Sequence, residues 1–231
     1  AMRKNAGDFA LTVRPRERAP WIRYLGPAVL VGYITDPQNA PESKGLNTYF
    51  DMVLKNGSQL QAGRIASFER LEKPLKIHLS QAIAPGDYRF AEYYLSFVTD
   101  RNHLLGGSFR IGSGGFYDGH RRSYLLSADL RPGHRFTAGL TWSHNDVRVS
   151  SGDFTTNLLG ARLGYAFSTS HYFNALIQYN SDTRDLSSNL RLNLFHSATN
   201  DFYLVYNERR SSSGALLDQA VICKLTHIFS F

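Results

Sequence analysis

No apolar run in this 231-residue chain approaches the roughly 18 residues that a membrane helix needs, so a helical membrane protein is excluded. The single cysteine, Cys223, permits neither an internal disulfide nor a cysteine-based metal site. The eight histidines are scattered without ligand spacing, so no metal site is expected. No glycine motif for phosphate binding is present, and no cofactor is expected. Basic residues never cluster beyond the pairs Arg121–Arg122 and Arg209–Arg210. Without a basic stripe or a recognition helix, nucleic acid is not an expected partner. Nor does the N-terminus read as a signal peptide.

What the chain does have is aromatic residues and alternation. Tyr and Phe number 13 and 15, and the formal charge is +7. Mean hydropathy is only −0.30, but a transmembrane barrel keeps its average low because polar lumen residues alternate with lipid-facing ones. Leu159, Ala161, Leu163, Tyr165 and Phe167 alternate with Gly160, Arg162, Gly164 and Ala166. Phe173, Ala175, Ile177 and Tyr179 oppose Asn174, Leu176, Gln178 and Asn180, and Leu190, Leu192 and Leu194 oppose Asn189, Arg191 and Asn193. Side chains alternate across a strand, so each segment has one apolar face and one polar face. The final residues repeat the pattern, with Val221, Cys223, Leu225, His227, Phe229 and Phe231 on one face. Phe229 and Phe231 resemble the closing-strand signal of outer-membrane barrels, read by the barrel-insertion machinery.

Strands are predicted near 22–34, 45–55, 59–69, 87–98, 104–113, 121–131, 135–146, 156–167, 171–180, 188–196, 202–208 and 219–231. Most have about the 9–11 residues that cross a bilayer at a slant. The expected fold is therefore all-β, an antiparallel up-and-down transmembrane barrel of about twelve strands (10–14) over residues 21–231. Residues 1–20 are expected to be periplasmic or to form one extra strand around Phe9–Val13, making thirteen. An odd count is not expected of a complete bacterial barrel and would place part of it before residue 1. The segments 55–58, 131–134, 168–170 and 197–200 read as short periplasmic turns. Thr35–Lys44, Leu71–Gly86, Gly114–His120, Val147–Thr155, Ser181–Ser187 and Arg209–Asp218 read as longer extracellular loops. Because an outer-membrane protein is exported, the sequence is expected to be a mature or truncated form.

Several stretches resemble pieces of a family. Leu71-Glu72-Lys73-Pro74 through Ile83-Ala84-Pro85-Gly86-Asp87-Tyr88-Arg89-Phe90 is similar to the C-terminal barrel domain, of unknown function, of long bacterial proteins. Those proteins carry an N-terminal family-nine carbohydrate-binding-like domain. Gly115–Gly119, Asp153-Phe154, Ile177–Ser181, Asn189–Leu192 and Phe202–Glu208 resemble further pieces in the same order. The resemblance covers roughly residues 45–231. It implies an outer-membrane location and a missing N-terminal domain or partner chain, but no established activity.

The inferred lumen carries Arg110, Arg135, Arg162 and Arg191 with Asp129, Glu92, Gln178, Asn174, Asn189, Asn193 and Lys224. Buried charges require partners or water. Such a set is either a basic, water-filled constriction favouring small anionic or saccharide solutes, or a plugged interior of ion pairs. The expected partners are the lipid bilayer and lipopolysaccharide, and the expected role is porin-like passage or docking without covalent chemistry. One alternative is a membrane anchor or scaffold for an absent domain. Another is an outer-membrane hydrolase using Asp118 and His120, which share a strand face at i and i+2. Ser143-His144-Asn145-Asp146 offers catalytic residue types, but adjacent strand residues point apart, so Ser143 and His144 cannot pair. Outside the membrane, a soluble β-sandwich or lipocalin-like barrel would show the same alternation.

Overall fold

The computed structural model describes residues 2–15, 17–100, 103–197 and 200–227. All regular structure in it is strand: β1 (Arg3–Ala10), β2 (Ile22–Thr35), β3 (Pro41–Leu54), β4 (Gln59–Leu71), β5 (Leu75–Lys76), β6 (Ala82–Ile83), β7 (Gly86–Val98) and β8 (Leu105–Phe116), followed by β9 (Gly119–Leu130), β10 (Phe136–Val149), β11 (Gly152–Ala166), β12 (His171–Asn180), β13 (Asp185–Ser197), β14 (Asn200–Ser211) and β15 (Leu216–His227). Thirteen of them form one antiparallel sheet in chain order, and β5 pairs with β6 as a small hairpin within the β4–β7 connection. The alternating segments became strands where predicted, because a period of two matches the pleat and no other regular structure.

Three expectations change. First, the main sheet has thirteen strands, within the expected 10–14, but the extra N-terminal strand lies earlier than expected: Arg3–Ala10 pairs with β2 from Arg3↔Thr35 to Ala10↔Ala28. Phe9–Val13 is therefore only partly the extra strand; beyond Ala10 the contact continues as an isolated bridge, Val13↔Leu25. Second, the expected long loops are mostly strand. β8 and β9 are joined by Tyr117-Asp118 alone, and β10 and β11 by Ser150-Ser151. Tight reversals require left-handed backbone, supplied by Tyr117 (φ 50°), Gly152 (φ 125°), Arg184 (φ 52°) and Gly214 (φ 84°). The stretch between β4 and β7 remains long, but so does 11–21 at the opposite end, so the division into short turns and long loops does not hold. Third, among the described residues no pairing joins β1 to β15, and the sheet is not closed into a barrel. With thirteen alternating strands, the first and last run in the same direction and cannot share the antiparallel ladder used elsewhere.

The chain divides into two compact units. One comprises 1–101, 108–125 and 144–155, the other 102–107, 126–143 and 156–231. The first holds a hydrophobic cluster in which Ile83, Val147 and Val149 are buried among Leu71, Ile77, Tyr88, Phe116, Tyr117 and Phe154. This cluster seats the β4–β7 connection, and His78 stacks on Phe154 with ring centroids 4.4 Å apart.

Candidate functional site

In the second unit, strand register sorts side chains onto two faces. Arg162, Leu176, Asn189, Asn207 and Ala220 lie opposite one another across β11 to β15. The neighbouring rows of that face are Gly164–Asn174–Arg191–Val205–Ile222 and Ala166–Tyr172–Asn193–Tyr203–Lys224. Gln178 sits in a fourth row, between Gly160 and Ser187. The other face carries Leu163–Ala175–Leu190–Tyr206–Val221 and Tyr165–Phe173–Leu192–Leu204–Cys223. Apolar side chains there lie open: Leu163, Phe167 and Ile177 are exposed, and Val221 and Leu225 are 66% and 75% exposed. The apolar rows therefore do not meet in a dry centre within this unit.

The polar face walls a cavity of about 420 Å³ lined by Asp129, Thr137, Arg162, Asn174, Asn189 and Arg191, among others. An Nη2 of Arg162 stands 3.4 Å from Oδ1 of Asp129. Arg191 places its guanidinium 5.2 Å from the Tyr203 ring centroid, and Asn189 donates its amide to Asn207. Asn193 is buried, and its Oδ1 accepts no hydrogen bond among the described residues. It lines a second cavity, of about 360 Å³, with Asp201, Tyr203 and Lys224. Arg135 lies apart from these groups: it is exposed one residue before β10, where its carbonyl accepts a bond from Ala166 N–H.

The first unit repeats the design with other residues. Its polar face carries Asp51–Gln61–Ser96–Arg110, Tyr49–Gly63–Tyr94–Gly112 and Asn47–Ile65–Glu92–Gly114. Arg110 lies 3.7 Å from the centroid of the Tyr94 ring. Glu92 accepts from Arg121 at 2.7 Å and from Ser123 at 3.0 Å. Neither partner was singled out from the sequence, because Arg121 sits in an Arg-Arg pair whose two members face opposite ways. Knowing which of them shares Glu92's face requires the register. At the hairpin tip Tyr117 donates to Glu69 at 2.5 Å, and burial, followed by that carboxylate, pushes the phenol pKa up.

Asp118 and His120 are not joined by a hydrogen bond. Asp118 accepts from Ser150, while Nε2 of His120 lies 3.2 Å from Ser113 Oγ. Ser143 and His144 are neighbours on one strand, and the ring of His144 faces Tyr124 at 5.8 Å. Among the described residues no group of three or more His, Cys, Asp or Glu is placed to hold a metal ion. Phe229 and Phe231 lie outside the described residues.

Compared with known protein families, curated proteins and solved structures, the chain matches none.

Proposed function

We propose that the chain is an integral outer-membrane protein whose strands span the bilayer as a barrel and whose polar face guides or docks small polar, anionic solutes without covalent chemistry. The observation that carries this reading is the sorting of faces: apolar rows lie open while Arg162, Arg191, Asn174 and Asn189 wall a cavity. Total accessible surface adds support. At 26.0 kDa a soluble monomer is expected to expose roughly 10,500 Å², whereas this chain exposes 15284 Å². Among the described residues Ile83 is the one large side chain that is fully buried. Lipid would cover the open rows at no hydrophobic cost. The ordered motifs similar to barrel domains of long bacterial proteins belong to the same reading.

A span in lipid leaves no unpaired strand edge, so the reading requires that the free edges of β1 and β15 be paired in the membrane. Slow amide exchange along both edges in lipid nanodiscs is the expected result, and fast exchange there would remove the ring. Conductance in planar bilayers tests the solute role: the protein should give discrete, anion-selective steps. A second reading, a membrane anchor, draws support from the Ile83 cluster, where the β4–β7 connection is packed down rather than free. Silence at every voltage, with the protein still inserted, would favour that second role.

A further inference from the structure

On the apolar face of the first unit, register aligns Tyr33, Lys44, Phe68 and Arg89 in one row across β2, β3, β4 and β7. The next row is Val31–Leu46–Ala66–Ala91, and the one after it is Val29–Thr48–Arg64–Tyr93. Two further rows, Pro27–Phe50–Ala62–Leu95 and Leu25–Met52–Leu60–Phe97, contain no charge. Counted along β4, Leu60 to Phe68 is the length that crosses a bilayer when tilted, about 9 residues. The Tyr33–Arg89 row thus falls at one boundary of the apolar band, with aromatic and cationic groups together.

The small side chains of Ala66 and Ala91 open a groove of about 690 Å³ on this face, bordered by Val31, Leu46 and Phe68. Lys44, Arg64 and Arg89 also line it. Lys44 and Arg89 sit over the Phe68 ring, 5.9 and 5.4 Å from its centroid. Among the described residues none of the three has a hydrogen-bonded carboxylate. The carboxylate of Asp87, two residues from Arg89, is hydrogen-bonded by Arg70 at 2.8 and 3.0 Å and feels the Arg89 charge only at longer range. An unpaired arginine inside an apolar band is costly unless its head group reaches an anion at the interface. Arg64 is exposed and lines the groove, one row from Ala66.

We infer that this groove binds a phosphorylated, acylated glycolipid, its acyl chain over Ala66 and Ala91 and its phosphates on Lys44, Arg64 and Arg89. The inference rests on the membrane reading above. Lys44, Arg64 and Arg89 bring three positive charges to this one groove, which the single negative charge of a phosphodiester headgroup cannot balance. A disaccharide phosphorylated at each end can.

The test uses the full chain in detergent, titrated with bis-phosphorylated lipid A and followed by native mass spectrometry. Dephosphorylated lipid A, phosphatidylglycerol and inorganic phosphate are the comparison probes. Bis-phosphorylated lipid A should bind at least tenfold tighter than each, and K44Q/R64Q/R89Q should lose that margin. Ala91→Leu, which fills the trough and keeps all three cations, should weaken binding several-fold. Equal binding by both variants overturns the proposal, as does equal binding of phosphatidylglycerol or phosphate alone. Insertion into phosphatidylethanolamine liposomes is scored separately by flotation. Failure to insert sinks the membrane reading itself, whereas insertion without lipid A preference sinks only the groove.

Discussion

Asp129 and Arg162 meet 3.4 Å apart above Gly139, where an added Cβ would lie 2.9 Å from Asp129 Oδ1. The glycine makes room for the pair, which shares the cavity wall with Arg131 and Arg191. Arg162 is well exposed, so the contact is worth no more than about 1 kcal/mol, and its loss should show in selectivity rather than stability. Asp129→Asn is expected to raise the anion-to-cation permeability ratio, and Arg162→Glu to reverse the preference. Reversal potentials across a salt gradient measure both. An unchanged ratio in Arg162→Glu would separate this cavity from any conduction path.

Gly63 and Gly45 make opposite predictions for the same substitution. A Cβ on Gly63 would lie 2.6 Å from Tyr49 Cβ and 2.8 Å from the Thr48 carbonyl oxygen, while at Gly45 nothing stands within 4 Å. Backbone cannot yield as a side-chain tip can, so Gly63→Val should cost about 1–3 kcal/mol by overpacking. Gly45→Val should change stability by no more than about 0.5 kcal/mol. Urea titration of the folded, heat-modifiable gel band gives both values.

The sequence showed the strands plainly, because a two-residue period survives any tertiary context that keeps one face wet. The same alternation sets Arg162, Asn174, Asn189 and Arg191 opposite apolar neighbours along their own strands, and all four line one cavity. Connections were harder to read. Tyr117 and Arg184 adopt positive φ although neither is a glycine, so nothing in their chemistry announced a tight reversal and the strands ran on through expected loops. Partners across strands were invisible for a different reason: the pairing of Glu92 with Arg121 depends on register, which a single strand's pattern does not fix. The same holds for the Lys44–Phe68–Arg89 row, three residues far apart in sequence. Closure could not be read, because alternation describes each strand and not the edges of the sheet.

Tyr117 gives a pH prediction. Its phenol is held protonated by burial and by the Glu69 carboxylate, so its folded pKa lies above the ordinary value near 10. The sign follows: the contribution is complete below the unfolded pKa and is lost as pH rises through the folded one. Tyr117→Phe should lower stability by about 1 kcal/mol at pH 8. The gap between wild type and variant should narrow only as pH climbs above about 10. Thermal melts at pH 8, 10 and 11 check this. A gap that closes already between pH 6 and 8 would point to Glu69 acting without the phenol.

Cys223 offers the most direct test of which face meets lipid. It belongs to the open row Tyr165–Phe173–Leu192–Leu204–Cys223, while Asn189 belongs to the cavity row beside Arg162. In liposomes the native thiol should resist a charged, membrane-impermeant maleimide and react with a lipid-soluble one. In C223S/N189C the order should invert, because a water-filled wall admits the charged reagent. The same two proteins in urea should label equally with either reagent, which separates access from intrinsic thiol reactivity. If Cys223 reacts freely with the charged reagent while Asn189→Cys is silent, the apolar rows face water and the polar face is closed off. No outer-membrane reading of this sheet survives that result, because an arginine-walled face turned toward hydrocarbon has neither water nor counter-charge to hold its guanidinium groups.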